Sequence, residues 1–250
     1  MRFNLIGPFE IIADDGRVCV PSAPKVCQTL ALLLSRHNEV VTPDCLIQEL
    51  WGESPPRSAV TAVQTYVYSA RRIFVKERLA PTGRTLLSTK PPGYLMELED
   101  GEVDTRIFEN LLARGHAEFR AGNPECAVQQ LRRALALWRG PALCNVPVGN
   151  VLAGHTAHLE ELRIHALELS IEAEHHLGRQ RETIPELRVL VHQYPFNECF
   201  HGHLISALNH AGRRAEALQA YRQVHRILDR ELGLEPSPGL QRLQYQVLNP

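Results

Sequence analysis

Thr61, Gln64, Thr65 and Tyr68 lie within one short stretch and, at 3.6 residues per turn, share one side of a helix. Arg72 follows one turn later, and Arg57 and Arg71 flank the set. These side chains suit one chemistry, the reading of a nucleic-acid groove. A glutamine amide can pair an adenine edge in two places, a threonine methyl can meet a thymine methyl, and arginines neutralise phosphates. Between Arg57 and Phe74 there is no acid, whereas a helix face turned only to solvent usually mixes both signs. The plainer alternative is a β-branched amphipathic helix with a basic end, and the neighbouring elements decide between the two.

The opposite side of the same stretch carries Val60, Val63, Val67, Ala70 and Phe74 at spacings of three and four, which predicts a helix laid against a core. Before it, Phe3 to Val20 reads as short strands: Phe3 and Leu5, Phe9 and Ile11, and Val18 and Val20 recur at period two. Gly7-Pro8 and Asp14-Asp15-Gly16 supply the turns. Pro24 opens a helix whose stripe is Val26, Leu30, Leu33 and Leu34. Thr42-Pro43 opens another, with Leu46, Ile47, Leu50 and Trp51 inward and Gly52 as its stop. After the groove-facing helix, two β-prone runs around Lys90-Pro91-Pro92-Gly93 predict a hairpin. Sheet, helix, helix, loop, helix, hairpin is the order of a winged helix-turn-helix, whose third helix enters the major groove.

The totals agree. The chain has 250 residues, 44% hydrophobic and 22% charged, with net charge −1, which fits two globular domains and names no partner by itself. From Arg57 to Lys90, however, seven basic residues face the single acid Glu77, a local patch suited to a polyanion. The six cysteines are scattered with no CxxC pair, no signal peptide is evident and no apolar run could span a membrane, so a cytoplasmic protein with reduced thiols is expected. There is no phosphate-binding loop, GxSxG or HExxH motif, so no enzyme activity and no cofactor are expected. His155 with His158, and His201 with His203, lack the company of a metal site. His175-His176, Arg132-Arg133 and Arg213-Arg214 read as solvated helix faces.

Glu99-Asp100-Gly101-Glu102 is a polar break, and everything beyond it reads as helical. Gly122, Gly178 and Gly212 each precede an apolar-faced helix, and the last two are 34 residues apart, the tetratricopeptide period. Helix pairs are expected at about 104–138, 155–194 and 196–232, with a last helix from about 236.

Residues 3 to 98, with Leu50-Trp51-Gly52 before the loop and Gly93-Tyr94 closing the wing, resemble the OmpR-type winged helix. With ALALWRGPAL at 134–143 and ELGLEPSPGLQRL at 231–243, the whole chain resembles the Streptomyces antibiotic regulatory proteins, although residues 145–154 fit that pattern loosely. The resemblance implies a mainly α protein: an OmpR-type winged helix over 1–98 and a tetratricopeptide-like bacterial transcriptional activation domain over 104–250. It further implies an activator of a secondary-metabolite gene cluster that binds direct repeats in double-stranded promoter DNA near the −35 region, as a dimer on DNA, and recruits RNA polymerase. Thr61, Gln64, Thr65 and Tyr68 are then expected to read bases. Arg57, Arg71, Arg72, Ser88 and Lys90 should hold the backbone, with Lys90 also able to reach the minor groove. The exposed loop Glu53-Ser54-Pro55-Pro56 is the candidate contact for the σ factor. A fragment ending near Asp100 is expected still to bind operator DNA, though more weakly than the full chain, and to activate transcription poorly. The alternatives are a helical-repeat adaptor whose N-terminal domain binds protein, and a repressor with the same DNA-binding domain.

Overall fold

The computed structural model describes residues 1–79 and 84–249. The chain divides into two compact units. The first comprises residues 1–113 and 133–164, and the second residues 114–132 and 165–250.

The first unit opens with an antiparallel meander of β1 (Arg2–Asn4), β2 (Glu10–Ile12) and β3 (Val18–Cys19). Phe3, Leu5, Phe9 and Ile11 are buried as their alternation requires, but Val18 and Val20 are exposed, because in the edge strand β3 it is Cys19, between them, that packs against the core. Helix α1 (Pro24–Ser35) starts with proline in its first turn and is buried on nearly every side. A strand that the sequence did not announce follows, β4 (Val40–Val41). It is too short to show a period, and is held by pairing with the wing. Helix α2 (Pro43–Trp51) begins where expected: the Thr42 hydroxyl accepts from Cys45 N–H. Helix α3 (Ala59–Lys76) buries Ala59, Val63, Val67, Ala70 and Phe74. Val60 does not join that stripe and is 53% exposed. Ala59 takes its place in the first turn.

The wing is β5 (Leu87–Lys90) and β6 (Gly93–Met96), paired from Leu87 opposite Met96 to Lys90 opposite Gly93. Strand β4 lies on the other side of β6, so the wing is the outer part of a three-stranded sheet.

Ten helices in all are present among the described residues. Helices α4 (Asp104–Arg120), α5 (Pro124–Leu135) and α6 (Asn150–His176) begin the helical half, and α7 (Gln180–Gln193), α8 (Glu198–His210), α9 (Arg214–Leu232) and α10 (Pro238–Leu248) complete it. Antiparallel packing of α7 on α8 and of α8 on α9 gives the tetratricopeptide-like stack. Gly178 and Gly212 sit at its turns with φ of 76° and 75°, a conformation that L side chains rarely adopt. Two expected bounds shift. The first pair ends at Leu135, and α6 starts at Asn150, several residues before the expected position.

Within the second unit, the paired arginines are more engaged than a solvated face implies. Arg132 and Arg179 both bind the buried Glu174, and Arg214 caps the end of α10 by donating to the Val247 and Leu248 carbonyls. His176 is exposed, but His175 is half-buried. Its Nδ1 lies 3.3 Å from His203 Nδ1, and its Nε2 3.0 Å from Thr183 Oγ1. Burial lowers the His175 pKa to about 4, with His203, His176 and His210 adding repulsion. Burial also lowers that of His203, against the opposing pull of Glu172 and Glu168. The folded pKa lies below the ordinary 6.5, so the unfolded chain binds protons more readily. Stability is therefore present above about 6.5 and lost as pH falls toward 4. We expect a drop on the order of 1–2 kcal/mol from this pair, discounted for partial exposure, and reduced in His175→Phe, which leaves only the His203 contribution. Thermal melts at pH 7 and pH 5 check it, and equal pH dependence in both proteins would contradict it.

Candidate nucleic-acid interface

The exposed face of α3 carries Thr61, Gln64, Thr65, Tyr68 and Arg72, all exposed, and the preceding turn carries exposed Arg57. Tyr68 is 60% exposed, unusual for an aromatic on a helix that also serves the core. Its ring lies under the Arg72 guanidinium at 6.0 Å. The Thr65 hydroxyl donates to the Thr61 carbonyl at 2.9 Å, and Ser69 repeats the arrangement on Thr65 at 2.8 Å. That bond fixes the Thr65 rotamer and occupies its donor, leaving the methyl as the group it offers outward.

Arg71 is placed differently from Arg72. Its Nε donates to the Leu87 carbonyl at 3.0 Å, its terminal nitrogen to Thr89 Oγ1 at 2.8 Å, and its guanidinium lies 6.0 Å from the Tyr94 ring. Arg71 thus straps β5 and β6 to the flank of α3 and sets the angle of the wing. Ser88 on that wing is half-buried and Lys90 at its tip is exposed, so helix face and wing tip offer one surface with cations at both ends.

The other side of α3 is fixed by stacking. Tyr66 lies on Trp51 at 6.2 Å with planes 29° apart, and Lys25 Nζ lies 5.6 Å from the Trp51 ring. Between α2 and α3, Gly52 turns the chain at φ 58°, and Glu53, Ser54, Pro55 and Pro56 are all exposed. Sequence reasoning missed Glu49. It is 2% exposed, and its carboxylate accepts from the backbone N–H of Gly149 at 2.6 Å, Val151 at 3.0 Å and Leu152 at 2.9 Å. Its partners lie about a hundred residues away, so no local pattern could have shown it.

Among the described residues no group of three or more metal-ligating side chains could hold an ion, and no helix is long and apolar enough to cross a membrane. All six cysteines are free.

A family model described as a bacterial transcriptional activator domain matches residues 103–248, and one described as a transcriptional regulatory protein C-terminal domain matches residues 17–96. Over 99% of its length the chain is 36% identical to the regulatory protein DnrI of Streptomyces peucetius, and spans 92% of that protein. The chain belongs to the Streptomyces antibiotic regulatory protein family. It is also 34% identical to the transcriptional regulator RedD of Streptomyces coelicolor, of which it spans 70%. Another member, the regulatory protein AfsR of that organism, is likewise 34% identical, but the chain spans only 24% of it. Among solved structures it is similar to Mycobacterium tuberculosis EmbR in complex with a low-affinity phosphopeptide. The TM-score is 0.91 at 32% identity, over 99% of this chain and 64% of that one. Membership makes the chain a transcriptional regulator, and the winged helix followed by helical repeats is the family's architecture.

Proposed function

We propose that the chain is a sequence-specific DNA-binding transcription activator of a secondary-metabolite gene cluster, acting in the cytoplasm, with 1–98 as its DNA-binding domain and 104–250 as its activation domain. The observation that carries this reading is the outer face of α3: hydrogen-bonding tips, an exposed tyrosine under an arginine and no acid, beside a wing strapped on by Arg71. Such a face can do little in water that a mixed-charge face would not do better, whereas it matches a major groove in shape and charge.

In this reading α3 enters the groove. Thr61, Gln64, Thr65 and Tyr68 read bases. Arg57, Arg72, Ser88 and Lys90 hold phosphates, with Lys90 also within reach of a minor groove. Arg71 contributes through the wing it positions as well as by its charge. One recognition helix reads only a few base pairs, so two protomers on direct repeats near a −35 element supply the specificity. A head-to-tail pair leaves one flank open, and there the Glu53-Ser54-Pro55-Pro56 loop meets the σ factor of RNA polymerase.

Gln64→Ala should lose roughly 1–3 kcal/mol on the preferred duplex while leaving random DNA nearly unchanged, because a bidentate base contact carries sequence information and a phosphate contact does not. Competition binding with the two duplexes measures this, and equal weakening on both would remove Gln64 from base readout. The proposal as a whole is tested by footprinting the promoters of the neighbouring gene cluster and transcribing them in vitro. Protected direct repeats and a rise in transcript are expected. Protection with a fall in transcript would make the protein a repressor, and no protection would leave the adaptor reading.

A further inference from the structure

Three observations converge on Glu49, all within the first compact unit. The carboxylate holds three backbone N–H groups at the start of α6, and it also accepts from Gln28 Nε2 at 2.9 Å, so α1, α2 and α6 meet at one buried acid. Gly149 is the residue this junction demands: a Cβ there would lie 2.1 Å from the Glu49 carbonyl oxygen and 2.9 Å from its carboxyl carbon. Around the junction, Leu143, Val146 and Leu152 belong to the same buried cluster as Phe3, Leu46, Val63 and Val67. Residues 137–152 therefore close the core that carries the recognition helix. Two residues beyond Glu49, Trp51 stacks on Tyr66 of α3, which completes a continuous path from the start of α6 to the DNA-facing helix.

We propose that Glu49 is a positioning residue: its carboxylate locks the start of α6 to α2, so that residues 137–152 and the recognition helix form one cooperative body. Displacement of the start of α6 then displaces α3, and DNA binding depends on this acid. The consequence for DNA rests on the function proposed above, but the mechanical claim does not.

The test uses the full chain and native-state amide exchange. In the wild-type protein, the amides of Val151 and Leu152 should share with those of Val67 and Ala70 one opening reaction, with protection within about threefold and the same denaturant dependence. Glu49→Gln preserves shape but turns an N–H₂ toward backbone donors. It should speed exchange at least tenfold at Val151 and Leu152 and by a similar factor along α3, while Tyr221 and Val224 in α9 stay as in wild type. Acceleration confined to residues 149–153, with α3 unchanged, would overturn the proposal, as would unrelated opening of the two segments in wild type. If the variant does not fold, the wild-type comparison alone decides. A last arm measures duplex affinity of Glu49→Gln below its unfolding range, where a loss of at least fivefold is expected and wild-type affinity would overturn the link to DNA. Failure of the wild-type protein to bind any duplex would reject the DNA-binding function and leave the exchange result standing.

Discussion

Glu49→Ala is expected to destabilise the first unit by roughly 3–5 kcal/mol. The substitution strands the N–H groups of Gly149, Val151 and Leu152, while the Gln28 amide keeps its bond to the Glu49 carbonyl, in a region where Glu49 itself is only 2% exposed. Each buried donor left without an acceptor costs about 1–3 kcal/mol, offset in part by water entering the space left by the side chain. The charge strengthens the effect, since an acid at a helix N-terminus also meets the favourable end of the dipole. For a protein of this size the loss corresponds to roughly 10 °C in the first melting transition. A change below about 1 kcal/mol would show that the amides find other partners and that the junction is incidental. Chemical denaturation followed by tryptophan fluorescence suits the measurement, because Trp51 lies two residues from the substitution.

The second expectation concerns truncation. A fragment ending near Asp100 should fail to hold the winged helix and should bind operator DNA at least a hundredfold more weakly than the full chain. The sequence alone suggested a milder loss, because the polar break at Glu99–Glu102 looks like a clean boundary. The structure revises this. Leu143, Val146 and Leu152 are 1%, 7% and 0% exposed in the cluster that includes Phe3 and Val63. Removing them exposes facing apolar surface at about 1.5–3 kcal/mol for each side chain. The cut also deletes Glu102, whose carbonyl accepts from Phe3 N–H, and Asp104, which accepts from Leu5 and Ile6 N–H at 2.7 and 2.9 Å. It removes Asn145 too, which bonds both polar groups of the Phe9 backbone. Against a total stability of about 5–15 kcal/mol, these losses leave little fold. Near-ultraviolet circular dichroism and duplex titration of the fragment give the answer. A native spectrum with affinity within tenfold of the full chain would contradict it.

What was legible in the sequence is what local chemistry decides. Thr42-Pro43 announced the start of α2 because cap and proline are neighbours. The α3 stripe announced itself because Val63, Val67, Ala70 and Phe74 follow one period. Gly178 and Gly212 marked the repeat because each turn needs its own left-handed residue. The shared exposed face of Thr61, Gln64, Thr65, Tyr68 and Arg72 was legible for the same reason, all five lying on one helix. What was hidden depends on distant partners. Strand β4 exists because β6 pairs with it, α6 starts early because Glu49 caps it from a hundred residues away, and Arg71 leaves solvent because the wing returns to meet it. His175 looked solvated beside His176 because only the packing of α8 brings His203 against it.

The most direct test of the central claim is equilibrium binding of the full chain to a duplex carrying its footprinted repeat and to a scrambled duplex, between 50 and 200 mM salt. If α3 and the wing grip DNA as proposed, the logarithm of affinity falls linearly with the logarithm of salt concentration by several units. The repeat is then preferred by about a thousandfold or more, and Arg72→Ala flattens the slope by about one unit on both duplexes. A flat salt dependence, or equal affinity for the two duplexes, would contradict the account.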